Sequence, residues 1–213
     1  MKTILFQGDS ITDCSRSRDN ESFKGSGYPL RIAGNLGFEY PGEYKFLNRG
    51  VSGNRITDLY ARIKSDIINL KPDYLSILIG VNDVWHEIGA HNGVDAEKFE
   101  KIYDMLLSEV LEACPDIKIM ILGPFVTRCT AEGVCWVDNG TDDYFRTEVE
   151  KREAAAKRLS EKYGLKFVPL MSKFDEAIKI KAEPYWTKEG VHPTEAGHEL
   201  ITREWLKAFE EIK

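Results

Sequence analysis

The 213-residue chain has no excess of positive charge: 29 Lys and Arg stand against 35 Asp and Glu, a formal net charge of −6. The basic footprint that binds nucleic acid or an anionic membrane surface is therefore missing. No apolar run approaches the roughly 18–20 residues that cross a bilayer. Met1-Lys2 leads straight into a strand-like segment and leaves no room for a signal peptide, so a cytoplasmic location is expected. Cysteine is scarce, and Cys14, Cys114, Cys129 and Cys135 show no CxxC pair and no zinc-ligand spacing. In a reducing compartment they are expected to be free thiols, with Cys129 and Cys135 close enough in sequence to bridge under oxidation. Histidine is equally sparse, at His86, His91, His192 and His198, and the last two are six apart, which is not a metal-binding spacing. No metal or organic cofactor is called for. Repeats and low-complexity segments are also lacking.

What is present is a regular alternation. Apolar runs of strand length at 3–7, 44–48, 74–79, 117–122 and 166–170 alternate with helical patterns at 56–70, 96–113, 145–163 and 195–212. In 56–70, Leu59, Ile63, Ile67 and Leu70 recur three or four apart on one face. Strands joined by helical crossovers of about a dozen residues or more imply a parallel sheet and an α/β fold. The length fits one domain, 1–213. Three long connections, 14–28, 86–95 and 124–144, are expected to rim one site at the carboxyl ends of the strands.

The chemistry starts at Gly8-Asp9-Ser10, where the first apolar run stops in a glycine, an acid and a serine. A serine just past the end of a buried strand is a candidate nucleophile, provided a base and oxyanion donors exist elsewhere. His192 is the candidate base. It lies in a loop before the last helix, and Pro193 suits a first helical turn that would aim it. Glu189, three residues earlier, can reach the other ring nitrogen and set its tautomer. Oxyanion donors are offered by Asn48-Arg49-Gly50-Val51-Ser52-Gly53-Asn54 after the second strand and by Gly80-Val81-Asn82-Asp83 after the third.

Together, Gly8-Asp9-Ser10, Gly53 within Val51-Ser52-Gly53-Asn54, Gly80-Val81-Asn82 and His192-Pro193 resemble, in order, the four blocks of the SGNH (GDSL) hydrolases. The resemblance implies a three-layer α/β/α sandwich on a flavodoxin-like five-stranded parallel sheet. It implies Ser10 as nucleophile and His192 as general base. The oxyanion hole it implies comprises the Ser10 N–H, the Gly53 N–H and the Asn82 side chain. Residues 8–14, 48–54, 71–73 and 79–85 are similar to intracellular bacterial esterases that deacetylate xylo-oligosaccharides. That implies a small acetylated oligosaccharide as substrate, with a homo-oligomer as a further expectation. Trp85 would offer an aromatic face to the sugar, and Asp9, Asn54 and Trp186 are the other expected substrate contacts. Trp136 and Tyr185 are looser candidates for the same rim.

One position departs from the resemblance. The family pattern is Asp-x-x-His, and here the acid is Glu189. Either the longer acid still orients His192, or a backbone carbonyl or water does so and a Ser-His dyad remains. Two other readings stay open. A lysophospholipase or acyl-thioesterase would want an apolar channel, whereas the first and third long connections are charged and aromatic. A catalytically silent carbohydrate-binding module is favoured only by the Glu189 departure.

Overall fold

Strands buried on both faces read as continuous apolar runs, and the central strands Lys2–Gly8 and Tyr74–Leu78 are such runs, whereas the edge strands Tyr44–Asn48 and Lys166–Val168 are more exposed. In the computed structural model the described residues are 1–127 and 141–213. Strands β1 (Lys2–Gly8), β2 (Tyr44–Asn48), β3 (Tyr74–Leu78), β4 (Lys118–Leu122) and β5 (Lys166–Val168) pair in parallel in the order β2-β1-β3-β4-β5. The helices are α1 (Ser10–Asp13), α2 (Tyr28–Glu39), α3 (Ile56–Ala61), α4 (Ile63–Asp66), α5 (Val81–Ala90), α6 (Ala96–Ala113), α7 (Thr141–Tyr163), α8 (Leu170–Ile180) and α9 (Glu195–Phe209).

Successive side chains of a strand point to opposite faces. Ile4 and Phe6 of β1 therefore join one core, with Ile32 and Leu36 of α2, Phe174 of α8, and Trp205 and Phe209 of α9. Leu5 joins the other, with Leu59 of α3, Ile63 of α4, Phe99 and Leu106 of α6, and Leu159 of α7. Each such side chain contributes roughly 1.5–3 kcal/mol on burial, so the two cores, one on each sheet face, hold the sandwich together. The one hydroxyl on the inner part of β3, Ser76, accepts from Trp205 Nε1 at 2.9 Å, which removes the cost of burying it. This strand order changes direction between β1 and β3, and in such sheets ligands bind in the crevice at that point.

Several boundaries differ from expectation. The stripe at 56–70 is split into α3, α4 and a 3-10 turn at Ile68–Leu70. Ile63 and Ile67 stay buried as the spacing predicts. The break falls at Arg62, whose guanidinium is drawn off to Asn54 Oδ1 and the Arg49 carbonyl, each at 2.8 Å. Helices α2, α5 and α8 were not expected; α5 occupies the start of the expected 86–95 loop, and α8 begins where the fifth strand was expected to end. The last helix stops at Phe209, three residues early. Pro193 does not enter that helix: Thr194 is its cap, accepting from Gly197 N–H at 3.3 Å. Most of the 124–144 connection, with Cys129, Cys135 and Trp136, lies outside the described residues. Cys14 and Cys114 are free thiols. Among the described residues no helix is long and apolar enough to cross a membrane.

Candidate active site

The turn from β1 into α1 is too tight for any side chain at residue 8. A Cβ on Gly8 would collide with the Leu78 carbonyl and the Thr12 hydroxyl. Asp9 then caps α1, its Oδ1 accepting from Ile11 N–H at 3.0 Å, a contact worth about 1 kcal/mol. Ser10 follows as the first helical residue, half-buried, at the crevice between β1 and β3. Asp9 itself is 1% exposed and its Oδ2 has no hydrogen-bond partner. Burial pushes this carboxyl up to about 7, against the opposing pull of Ile11 N–H and His192. The expectation that Asp9 touches substrate is therefore corrected, because it faces inward and serves the helix cap.

The loop carrying the candidate base is a tight ring of contacts. Thr187 and Pro193 form an antiparallel bridge, and Lys188 N–H donates to the His192 carbonyl at 2.9 Å. Gly190 sits at the tip with φ of +84°, and a Cβ there would lie 2.8 Å from the Thr127 carbonyl oxygen. Thr127 N–H donates to the Gly190 carbonyl at 2.8 Å, and the Thr127 and Thr187 hydroxyls meet at 2.7 Å. The segment after β4 thus clamps the loop after α8.

Held this way, His192 Nε2 lies 2.8 Å from Ser10 Oγ. Glu189 Oε1 accepts from the His192 main-chain N–H at 3.0 Å and also contacts ring Nδ1. With Nδ1–H given to the carboxylate, Nε2 is left as acceptor for the Ser10 hydroxyl proton. Burial raises the Glu189 carboxyl, but the hydrogen bonds and charge of His192 outweigh it and hold Glu189 below its usual range. The carboxylate is therefore ionised at neutral pH and paired with a ring able to become cationic.

Two loops flank Ser10. Asn82, second residue of α5 and 5% exposed, donates from Nδ2 to the Asn54 carbonyl at 3.1 Å. Its amide carries a second N–H. Gly53 lies in the loop after β2, where Val51 N–H donates to the Gly8 carbonyl at 3.0 Å. Asp13, buried at the end of α1, accepts from Ser52 N–H at 3.0 Å and from Arg18 at 2.9 and 2.6 Å. Burial raises the Asp13 carboxyl, and Arg18 and Ser52 more than offset this. Asp83, fully buried, accepts from Ile56 N–H at 3.1 and 3.3 Å and so ties α5 to α3. Burial pushes its carboxyl up to about 7. Asp13, Asp83 and Thr127 were not anticipated as site residues. Their signal was faint: polar side chains adjoining the motif blocks, with partners far away in sequence.

The remaining expected contacts divide. The Trp85 ring lies 5.8 Å from the His192 ring and 6.1 Å from that of Phe145, at the cleft. Asn54 acts as scaffold, its Oδ1 taken by Arg62 and its carbonyl by Asn82. Trp186 donates to the Lys181 carbonyl at 2.9 Å, stands edge-on to Tyr185, and lines a groove against Ala196, Leu200 and Arg203 of α9. Neither Ser10 nor His192 lines that groove. Among the described residues no cluster of three or more His, Cys, Asp or Glu is gathered as a metal site.

Residues 6–200 match the GDSL-like lipase/acylhydrolase family. The chain belongs to that family. Among characterised relatives, an acetylxylan esterase of Geobacillus stearothermophilus is 33% identical over 211 residues, covering 96% of this chain and 92% of the esterase. The crystal structure of Axe2, an acetylxylan esterase from the same organism, superimposes with a TM-score of 0.84 over 97% of this chain and 93% of the other, at 32% identity. Two further structures of that enzyme are of catalytic mutants, one at a serine and one at an aspartate. A protein of Parabacteroides merdae assigned as a GDSL-like lipase superimposes with a TM-score of 0.89, 36% identity, and coverage of 98% and 95%. This GDSL-family protein is accordingly a carboxylic ester hydrolase. Its five-stranded parallel sheet between two helical layers is the fold shared with these neighbours.

Proposed function

We propose that the protein removes small acyl groups, above all O-acetyl, from carbohydrates such as acetylated xylo-oligosaccharides, through an acyl-enzyme on Ser10. The observation that carries the reading is the Ser10 Oγ to His192 Nε2 contact of 2.8 Å, with Glu189 on the opposite ring nitrogen. Ser10 Oγ attacks the ester carbonyl carbon while His192 takes its proton. The charge developing on the carbonyl oxygen is met by the Ser10 N–H, the Gly53 N–H and the free N–H of Asn82. One such donor is worth about 3–4 kcal/mol. The carbon–oxygen bond to the sugar breaks, and the departing alkoxide takes the proton from His192. Water then gives a proton to His192 as its oxygen attacks the acetyl carbon. The proton returns to Ser10 Oγ and acetate leaves.

The carbohydrate part of the reading draws on the similarity to an acetylxylan esterase and on Trp85, whose aromatic ring stands beside the base, where a sugar leaving group must pass. A longer-chain acyl ester is the second reading, favoured by the likeness to a GDSL-like lipase. The test is acetate release from acetylated xylo-, gluco- and manno-oligosaccharides beside hydrolysis of p-nitrophenyl acetate and octanoate. Ser10→Ala is expected to abolish hydrolysis while leaving thermal unfolding unchanged. Wild-type rates in Ser10→Ala overturn the mechanism, and a preference for octanoate overturns the small-acyl substrate. Sugar binding without turnover would identify a silent binding module.

A further inference from the structure

We infer that His86 is a specificity-determining residue that hydrogen-bonds the hydroxyls of the sugar carrying the ester, an inference resting on the carbohydrate reading above. Three observations converge on it. Asn82, Trp85 and His86 stand at i, i+3 and i+4 of α5 and so share one face of that helix. Along that face Asn82 reaches the Asn54 carbonyl, and Trp85 adjoins the His192 ring. His86 borders Gly53, where a Cβ would lie 3.9 Å from both Cε1 and Nε2 of the imidazole. The cleft is thus flanked by Trp85 on the side of the base and by His86 on the side of the oxyanion loop. His86 lies one helical turn beyond Asn82.

The second observation is that the His86 ring is half-buried yet has no hydrogen-bond partner among the described residues. Its charged neighbours are already engaged. Arg55 donates to both oxygens of Asp58 and to the carbonyl and side chain of Asn92. A partly desolvated ring that borders the oxyanion loop, without a partner among the described residues, is ready for a ligand's polar groups.

The third observation is chemical. Burial and the Arg55 charge hold the imidazole below its usual range, against the opposing pull of Asp58. At neutral pH it is uncharged, with one N–H donor and one bare nitrogen acceptor. Vicinal sugar hydroxyls offer the same pair in reverse. A p-nitrophenyl leaving group offers neither hydroxyl, so the two substrates report differently on this residue.

The experiment compares kcat/KM for acetate release from acetylated xylobiose with kcat/KM for p-nitrophenyl acetate, in wild type, His86→Phe and His86→Gln. Phenylalanine keeps the ring volume without polar atoms, whereas glutamine keeps a donor and an acceptor. The ratio of sugar to p-nitrophenyl activity is expected to fall about tenfold or more in His86→Phe and to stay within about threefold in His86→Gln. An unchanged ratio in both variants, or an equal fall in both, overturns the inference while leaving the carbohydrate reading standing. A wild type that hydrolyses p-nitrophenyl acetate but not the sugar ester overturns that reading, and this inference with it.

Discussion

Glu189 Oε1 engages His192 twice, at the main-chain N–H (3.0 Å) and at ring Nδ1. One carboxylate oxygen thus meets both the main chain and the ring edge of the residue three positions later. If this contact orients the base, Glu189→Ala is expected to lower turnover about tenfold or more, short of the roughly 10⁴ seen when an amide replaces the orienting acid and imposes the wrong tautomer. Steady-state kinetics on p-nitrophenyl acetate check it, and an unchanged kcat would favour a Ser-His dyad.

Asn82→Ala separates binding from chemistry. The amide is expected to matter only when charge develops on the carbonyl oxygen, so kcat is expected to fall about 10²–10³-fold with KM little altered. A rise in KM at constant kcat would assign Asn82 to ground-state binding instead.

The clamp on the base loop makes Gly190 sensitive. Its φ of +84° and the nearby Thr127 carbonyl leave no room for a methyl group. Gly190→Ala is expected to reduce kcat through displacement of His192, with a lowered melting temperature. Thr127→Val removes the hydroxyl's contacts with Thr187 and with the Gly190 carbonyl but keeps the main-chain bond to Gly190, and is expected to cost about 1–3 kcal/mol by denaturant unfolding.

Two buried groups give opposite pH signatures. His198 Nδ1 accepts from Tyr28 N–H at 3.2 Å, and burial lowers its pKa to about 4 from 6.5. The unfolded chain takes up this proton first, so its stabilisation is present above pH 6.5 and lost as pH falls toward 4. Asp9, raised to about 7 from 3.8, behaves oppositely: its contribution is full below pH 3.8 and lost as pH rises to 7. Melting temperatures of His198→Gln and Asp9→Asn relative to wild type are expected to fan out in opposite directions across these windows. Parallel curves would refute the assignments.

Much of the fold was legible because burial writes itself into strands as apolar runs and into helices as a periodic apolar face. Tyr44–Asn48 and α6 were read to the residue, and the fourth strand to within one. Helices α2 and α5 escaped because their starts carry no side-chain cap, each opening after a glycine, and their sequences include further glycines. Trp186 is close to His192 along the chain, and its indole lines a groove against α9.

By itself the sequence determined the α/β class, the candidates Ser10, His192, Glu189, Gly53 and Asn82, and the family to which they point. These are local matters: strand ends, turn glycines and short motif blocks are encoded by neighbouring residues. Only the tertiary structure decided that Asp9 faces inward and that Thr127 clamps the base loop. It alone set His86 beside Gly53. Such relations depend on which segments the folded sheet brings together, and nothing in the spacing along the chain encodes the distance between two side chains from different strand ends.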